Sequence, residues 1–218
     1  MGAFQQLSSL LGDLRPIAKK LNYPDSSICV LGGDIEVLKT NFPKTYDNLM
    51  TCGHNMDSRT PILYGQDLVA SWLYEDYLMH ELKSAGLDII GAGADKNREI
   101  LCNTRVSTDS DCLVSFNGKQ KGLELMNDHK GFWKKTHKCH LRDQKYNKIL
   151  KTGSIFLGVS TIDNTYFITD DISSVPSKFL PIHPIWHKPA QELTITSEDL
   201  IPIDYNTIAK QIKGMLMK

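Results

Sequence analysis

Apolar and polar residues alternate with different periods along the chain, and each period predicts a different element. Apolar residues at helical spacing predict a first helix over about 3–21 and a longer one that begins near Tyr64. Gly86 would end the longer helix as a C-cap, and Leu87 to Ile90 would begin an extended stretch. Between the helices, "ICVLGG" is typical of a short strand or buried turn, and "DIEVLKTNF" of a short helix.

Further along, two pairs of apolar runs predict β-hairpins. Asn117-Gly118 separates "TDSDCLVSF" from "KGLELMN", and this dipeptide suits the positive φ angles of a two-residue turn. A second hairpin is predicted around Asp163-Asn164. Residues 131–150 predict a helix between the hairpins, and "DYNTIAKQIKGMLM" predicts a closing helix. "SSVPSKFLPIHPIWHKPA" holds four prolines and favours a loop or an edge segment.

The order of these elements predicts an α/β (α+β) fold with a central mixed sheet flanked by helices. The 218 residues, 41% of them hydrophobic, are enough for one core, so we expect a single domain over 1–218. Lysine plus arginine equal aspartate plus glutamate, which argues against a disordered or broadly basic chain. The apolar runs are too short to span a bilayer, and the N-terminal stretch differs from a typical secretion signal, so we expect neither a membrane span nor a signal peptide. Five scattered cysteines indicate reduced thiols and a cytoplasmic location.

Two acidic residues of the first hairpin are candidates for metal binding. Glu124 shares a strand face with Met126 and Asp128, and Asp111 lies across the hairpin. Two carboxylates held close together must raise their pKa values or share a cation. Carboxylate and backbone carbonyl oxygens are ligands that Mg²⁺ accepts, and such an ion can stabilise charge on a phosphate.

A basic segment follows this hairpin. Residues 129–151 contain eight lysine and arginine residues and one acid, Asp143. The predicted helix places four of the basic residues on adjacent turns: Lys134, Lys138, Arg142 and Lys145. Basic side chains beside a carboxylate pair suit an enzyme that acts on a phosphodiester, because the cations can bind the nucleic-acid backbone.

The hairpin and its neighbours resemble the core of the PD-(D/E)XK nuclease superfamily, which includes many type II restriction endonucleases. Ser110-Asp111 stands where that family has Pro-Asp, and Leu123-Glu124-Leu125-Met126 stands where it has apolar-(Asp/Glu)-apolar-Lys. The preceding helix, with Glu75, and a helix after the second motif strand also resemble the family. The resemblance covers about 64–170, with 1–63 and 171–218 as recognition and dimerisation elements.

Met126 departs from the family pattern, because its side chain can neither orient a nucleophilic water nor accept a proton. Members of the family can recruit a lysine from elsewhere, and the candidates here are Lys130, Lys134 and Lys138. Asp128-His129-Lys130 is a literal Asp-x-Lys and offers another register. We prefer Glu124, because its apolar neighbours fit a central strand.

The resemblance implies an Mg²⁺-dependent endonuclease that cuts double-stranded DNA, in a prokaryotic or viral setting. Asp111, Glu124 and the carbonyl of Leu125 would hold the metal, and Glu75 would reach a second metal or its water. Lys130 or Lys134 would orient the attacking water or neutralise the phosphate. Cleavage at a symmetric site would require a homodimer. Candidate side chains for base readout are Asn55, Arg59, Arg98, Asn103 and Arg105.

Other interpretations remain open. The same core could cut RNA or selected structures, as a junction resolvase or a viral cap-snatching endonuclease does. Met126 also fits a nucleic-acid-binding protein without catalysis. A zinc-binding module is also suggested by His137 to His140 together with Cys52-Gly53-His54, although their spacing differs from that of paired zinc knuckles. Glu124, Glu75 and the lysines could also be solvated surface residues, and Asp111 could be a turn-capping residue.

Overall fold

A six-stranded mixed sheet is the centre of an α+β fold and is flanked by helices, as the sequence predicts. The structure is a computed structural model that describes residues 2–51, 59–102, 109–185 and 187–218. Its strands are β1 (Asp88–Gly91), β2 (Cys112–Phe116), β3 (Lys119–Asp128), β4 (Lys138–Arg142), β5 (Ile155–Ser160), β6 (Thr165–Thr169), β7 (Ser177–Leu180), β8 (Ala190–Thr194) and β9 (Ile201–Pro202). The large sheet has the order β1-β2-β3-β5-β6-β9, and β3 and β5 run parallel.

The chain divides into two compact units. The first contains Met1–Tyr77 and Gly93–Thr108, and the second contains Leu78–Ala92 and Asp109–Lys218. The predicted core over 64–170 coincides with neither of them. Both carboxylates of the hairpin and the whole basic segment belong to the second unit, so the candidate site can be described within that unit.

Helices dominate the first unit. They are α1 (Ala3–Leu11), α2 (Arg15–Lys20), α3 (Asp25–Gly32), α4 (Ile35–Asn41), α5 (Pro43–Thr51) and α6 (Pro61–Ser84), the last of which ends in the second unit. The single helix predicted over 3–21 is wrong, because Gly12 adopts a φ of 74° and ends α1. The strand or buried turn predicted for "ICVLGG" is also wrong, since Ile28 to Gly32 continue α3 and Gly33 is its C-cap. The helix predicted for "DIEVLKTNF" is confirmed as α4.

The predicted hairpins in the second unit are confirmed. Asn117 and Gly118 have φ angles of 50° and 76°, which a two-residue turn between right-twisted strands requires. This turn sets the register in which Cys112 pairs with Leu123. The second hairpin joins β5 to β6, and the closing helix is α9 (Tyr205–Met217). The proline-rich segment contains β7, an edge strand of the smaller sheet β4-β8-β7.

The single helix predicted over 131–150 is wrong. The segment forms α7 (Phe132–Thr136), then β4, then α8 (Asp143–Thr152). His137 adopts a φ of 56° and ends α7, and β4 buries alternate residues, Cys139 and Leu141. Pairing with β8 holds β4 in place. The basic side chains Lys134, Lys138, Arg142 and Lys145 therefore do not lie along one helix.

Helix α8 packs through an apolar stripe that fixes where its lysines lie. Tyr146 and Ile149 are buried in one cluster with Phe156 of β5 and Trp133 of α7. Trp133 packs on Gly158 so closely that a Cβ atom there would lie 2.6 Å from its ring. Among the described residues, no helix is both long and apolar enough to cross a membrane.

Candidate active site

Asp111 and Glu124 lie near each other beside the start of β2, where both pair with the same lysine, so the predicted hairpin brings them together. Asp111 directly precedes β2, and its Oδ2 atom accepts a hydrogen bond of 2.8 Å from the backbone N–H of Leu125. Glu124 lies in the middle of β3, between the buried residues Leu123 and Leu125, and its side chain has 0% exposure. The structure therefore does not support the interpretation of Glu124 as a solvated strand residue.

The ammonium group of Lys145 lies between these two carboxylates. Its Nζ atom is 2.9 Å from Oδ2 of Asp111, 3.2 Å from Oε2 of Glu124 and 3.0 Å from the carbonyl oxygen of Leu125. We call these three acceptor atoms the oxygen triad. They are the three ligand groups that the sequence analysis assigned to a metal, and a single cation contacts all of them.

A second lysine of α8, Lys148, binds the other oxygen of Glu124. Its Nζ atom is 2.5 Å from Oε1 of Glu124 and 3.1 Å from the carbonyl oxygen of Asp109. The sequence analysis did not assign Lys148 to the site. The two lysines are three residues apart and share a helix face, so a helix predicted to begin at Asp143 would have pointed to both.

The buried Glu124 carboxylate is held mainly by ion pairs with the ammonium groups of Lys145 and Lys148. Within the described part of the chain, neither Glu124 oxygen receives a hydrogen bond of good angle, although both ammonium groups lie at ion-pair distance. Burial alone would lower the pKa of Lys145, but the charges of Asp111 and Glu124 outweigh it and raise that pKa above its ordinary value. Lys145 is therefore a cation at neutral pH.

The oxygen triad fits a hard divalent cation. Two carboxylates and a backbone carbonyl are oxygen donors of the kind Mg²⁺ and Ca²⁺ accept, and Glu124 offers oxygens without well-directed hydrogen bonds. Among the residues described, no group of three or more His, Cys, Asp and Glu side chains could hold a metal. The triad differs from such a group because its third donor comes from the main chain.

Gly122 leaves room for hydroxyl groups beside the site. It lies two residues before Glu124, on the same face of β3. A Cβ atom at Gly122 would come within 2.2 Å of Oγ of Ser110 and 2.5 Å of Oγ of Ser154. These two hydroxyl groups lie 3.2 Å apart. A side chain at residue 122 would therefore displace them.

Met126 occupies the lysine position of the family pattern and is partly buried against the core. Its sulfur atom lies 3.6 Å from Sγ of the buried Cys139. Asp128, the alternative acidic position, forms a turn, since its carboxylate accepts the backbone N–H groups of Lys130 at 3.1 Å and Trp133 at 2.9 Å. These bonds favour Glu124 over Asp128 as the acidic residue of the site.

The lysines proposed from the sequence lie away from the oxygen triad or have other partners. Lys130 is exposed at the turn that Asp128 forms. Lys134 is 66% exposed and lies 3.7 Å from Asp163, and Lys138 pairs with Glu192 at 3.0 Å. Arg142 is exposed. The structure places Lys145, which the sequence analysis assigned only to backbone binding, at the carboxylates instead.

Glu75 belongs to the first unit, where it takes part in an ion-pair network. Its Oε2 atom lies 3.0 Å from the buried Arg98, which also pairs with Asp76. Arg59 pairs with Asp67 at 2.8 Å. The network favours a structural role for Arg98, instead of the base readout expected from the sequence. Other candidates lie outside the described residues: Asn55, Asn103, Arg105 and Cys52-Gly53-His54.

A histidine pair with a glutamate lies at the smaller sheet, where His140 is in β4, Glu192 is in β8 and His183 is in the segment between β7 and β8. The buried His183 lies 2.8 Å from Nδ1 of His140, whose Nε2 atom lies 3.0 Å from Glu192. Burial raises the pKa of the neighbouring Cys139 thiol, so it remains protonated. These contacts give the histidines hydrogen-bonding partners, and nothing in the described residues adds the further ligands that a zinc module needs.

No protein-family model matches the chain, and no curated protein does.

Proposed function

We propose that the protein is a divalent-metal-dependent nuclease that hydrolyses DNA phosphodiester bonds. The observation that carries the proposal is that Asp111, Glu124 and the Leu125 carbonyl all contact one cation, the ammonium group of Lys145. Lys148 binds the other oxygen of Glu124. The order of α6, the β2–β3 hairpin and α8 supports it as well, because the resemblance to PD-(D/E)XK nucleases implies a helix on each side of the acidic hairpin.

The residues of the chain have separate tasks in this proposal. The oxygen triad would hold Mg²⁺, which supplies charge stabilisation for the phosphate and a more acidic water. The Leu125 N–H group orients the Asp111 carboxylate, and Lys148 holds Glu124 in a single position. Lys145, which contacts both carboxylates, would replace the family lysine that is missing at Met126. It would orient the attacking water or neutralise the phosphate.

The finer proposal is a type II restriction endonuclease that cuts a specific duplex sequence as a homodimer. Lys134, Lys138 and Arg142 have exposed side chains that suit backbone phosphates. Symmetric cleavage would need two copies of the site related by a two-fold axis. The regions before and after the acidic core would then supply dimer contacts and base readout.

The test is incubation of purified protein with plasmid, phage DNA and RNA, in Mg²⁺ and in EDTA. Glu124→Gln removes one charge from the triad at nearly constant volume, and Asp170→Asn is its control, because Asp170 pairs with the exposed Lys218. Discrete DNA bands that need Mg²⁺ and vanish only in Glu124→Gln are expected. Fragments without fixed ends would show that cleavage is not sequence-specific. Cleavage of RNA alone would favour the RNA-cutting alternative.

A specific observation also favours a protein that binds nucleic acid without cutting it. The two ammonium groups of Lys145 and Lys148 already balance the charges of Asp111 and Glu124. Such a protein would bind DNA equally well in Mg²⁺ and EDTA and would cleave no substrate. That pair of results, obtained with both the wild type and Glu124→Gln, would overturn the nuclease proposal.

A further inference from the structure

Lys145 occupies the place where a divalent ion would bind. Its Nζ atom lies 2.9 to 3.2 Å from every atom of the oxygen triad. An ion bound to the same three oxygens at about 2.1 to 2.5 Å would lie so close to this nitrogen that the two cations could not share the position. The ammonium and the ion are therefore alternatives.

The charges of the site support this exclusion. Two carboxylates and two ammonium groups are neutral together, and Glu124 is fully buried between Lys145 and Lys148. A buried carboxylate needs a compensating cation, and the lysines supply it before any ion binds. Adding a divalent ion with both ammonium groups in place would leave two uncompensated positive charges. The repulsion falls most strongly on Lys145, because its ammonium group contacts the triad itself, and its side chain is 29% exposed.

We propose that Lys145 is a resident cation of the oxygen triad, which a divalent ion must displace in order to bind. This inference rests on the proposed function, because the ion is the one that the nuclease would use. Lys148 stays on Glu124, since it binds Oε1 and the carbonyl oxygen of Asp109, which lie outside the triad. The displaced ammonium of Lys145 becomes available to a phosphate of the substrate.

The first test is Mn²⁺ binding to the free protein, measured from the electron paramagnetic resonance signal of the unbound Mn²⁺. Lys145→Met removes the competing charge and keeps an apolar chain of similar length. We expect it to bind Mn²⁺ more tightly than the wild type by about tenfold or more. Lys151→Met, on an exposed position of the same helix, should bind as the wild type does. Equal or weaker binding by folded Lys145→Met would overturn the inference.

A second measurement uses the wild-type protein and does not depend on whether Lys145→Met folds. Acetylation of lysines is quantified by mass spectrometry in EDTA and in saturating Mg²⁺. Labelling of Lys145 should rise severalfold with Mg²⁺, while labelling of Lys151 should stay constant. Unchanged labelling of Lys145 at saturation would overturn the inference. Absence of Mn²⁺ binding in every variant would instead overturn the proposed metal-dependent function.

Discussion

The Nζ atom of Lys148 lies 2.5 Å from Oε1 of Glu124, in a pair whose carboxylate has no exposed surface. The pair joins α8 to the middle of β3 and so fixes the helix against the sheet at the candidate site. Because Glu124 is buried, the lysine contributes to the stability of the fold as well as to the shape of the site.

Lys148→Met should lower the free energy of unfolding by about 3 kcal/mol, because it leaves the buried Glu124 carboxylate with one ammonium partner. Urea denaturation of the wild type and the variant measures the loss. Lys151→Met is the matched control and should change the free energy by about 0.5 kcal/mol or less. In a double-mutant cycle, Glu124→Gln should remove much of the penalty of Lys148→Met, and additive losses would show that the pair does not couple.

Asp128→Ala should lower the free energy of unfolding by about 1 to 2 kcal/mol, since the backbone N–H groups of Lys130 and Trp133 lose their acceptors. The affinity for Mn²⁺ should not change, because Asp128 lies outside the oxygen triad. The comparison with Glu124→Gln separates the two acidic registers. A large loss of Mn²⁺ affinity in Asp128→Ala, with little effect in Glu124→Gln, would assign the metal to the other register.

Local rules predicted the hairpin that carries the acidic residues, because Asn117 and Gly118 tolerate positive φ angles wherever they occur. The same rules failed for 131–150. The strand β4 is held by β8, which begins at Ala190, and no local pattern contains that pairing. A prediction that omits β4 misplaces the start of α8 and therefore cannot identify the lysine of the site.

The choice of Lys145 over Lys130, Lys134 and Lys138 therefore depended on tertiary structure. Burial of Tyr146 and Ile149 sets the rotation of α8, and this rotation places Lys145 and Lys148 over β3. Met126 could be recognised from the sequence as a departure from the family pattern. Its packing against Cys139 shows what the residue does in the fold instead.

Glu75→Gln tests whether this residue serves the fold or the metal. Its contact with the buried Arg98 predicts a loss of about 1 to 3 kcal/mol in the free energy of unfolding, with Mn²⁺ affinity unchanged. Arg98→Met should cost more, about 3 to 5 kcal/mol, because it leaves Glu75 and Asp76 without their cation. Urea denaturation and Mn²⁺ titration of each variant measure the two effects. A stable Glu75→Gln protein with weakened Mn²⁺ binding would restore Glu75 as a ligand.

The hydrogen bonds of His183 and His140 fix which nitrogen carries each proton. Nδ1 of His183 accepts the N–H group of Ile185 at 3.1 Å, so Nε2 of His183 donates to Nδ1 of His140, and Nε2 of His140 donates to Glu192. Each acceptor nitrogen in this chain of bonds then faces one donor. A further proton on either ring would place two donors opposite each other and break a bond.

The stability of the smaller sheet should therefore fall in acid. Burial, followed by the nearby His140, lowers the pKa of His183 below its ordinary 6.5, although Glu192 opposes the shift and His187 adds to it. A histidine with a lowered pKa binds fewer protons in the folded state than in the unfolded state. Its contribution is complete above about pH 6.5 and decreases as the pH falls towards the lowered pKa.

His183→Gln removes this titration and retains an amide that can donate to His140. The free energy of unfolding is measured at pH 7.5 and pH 5.5 for both proteins, with Lys138 and Glu192 left intact to hold the ion pair beside His140. The wild type should lose more stability between the two pH values than His183→Gln does. Other titrating groups are common to both proteins and cancel in the difference. Equal losses would mean that the hydrogen bonds joining His183, His140 and Glu192 tolerate an added proton.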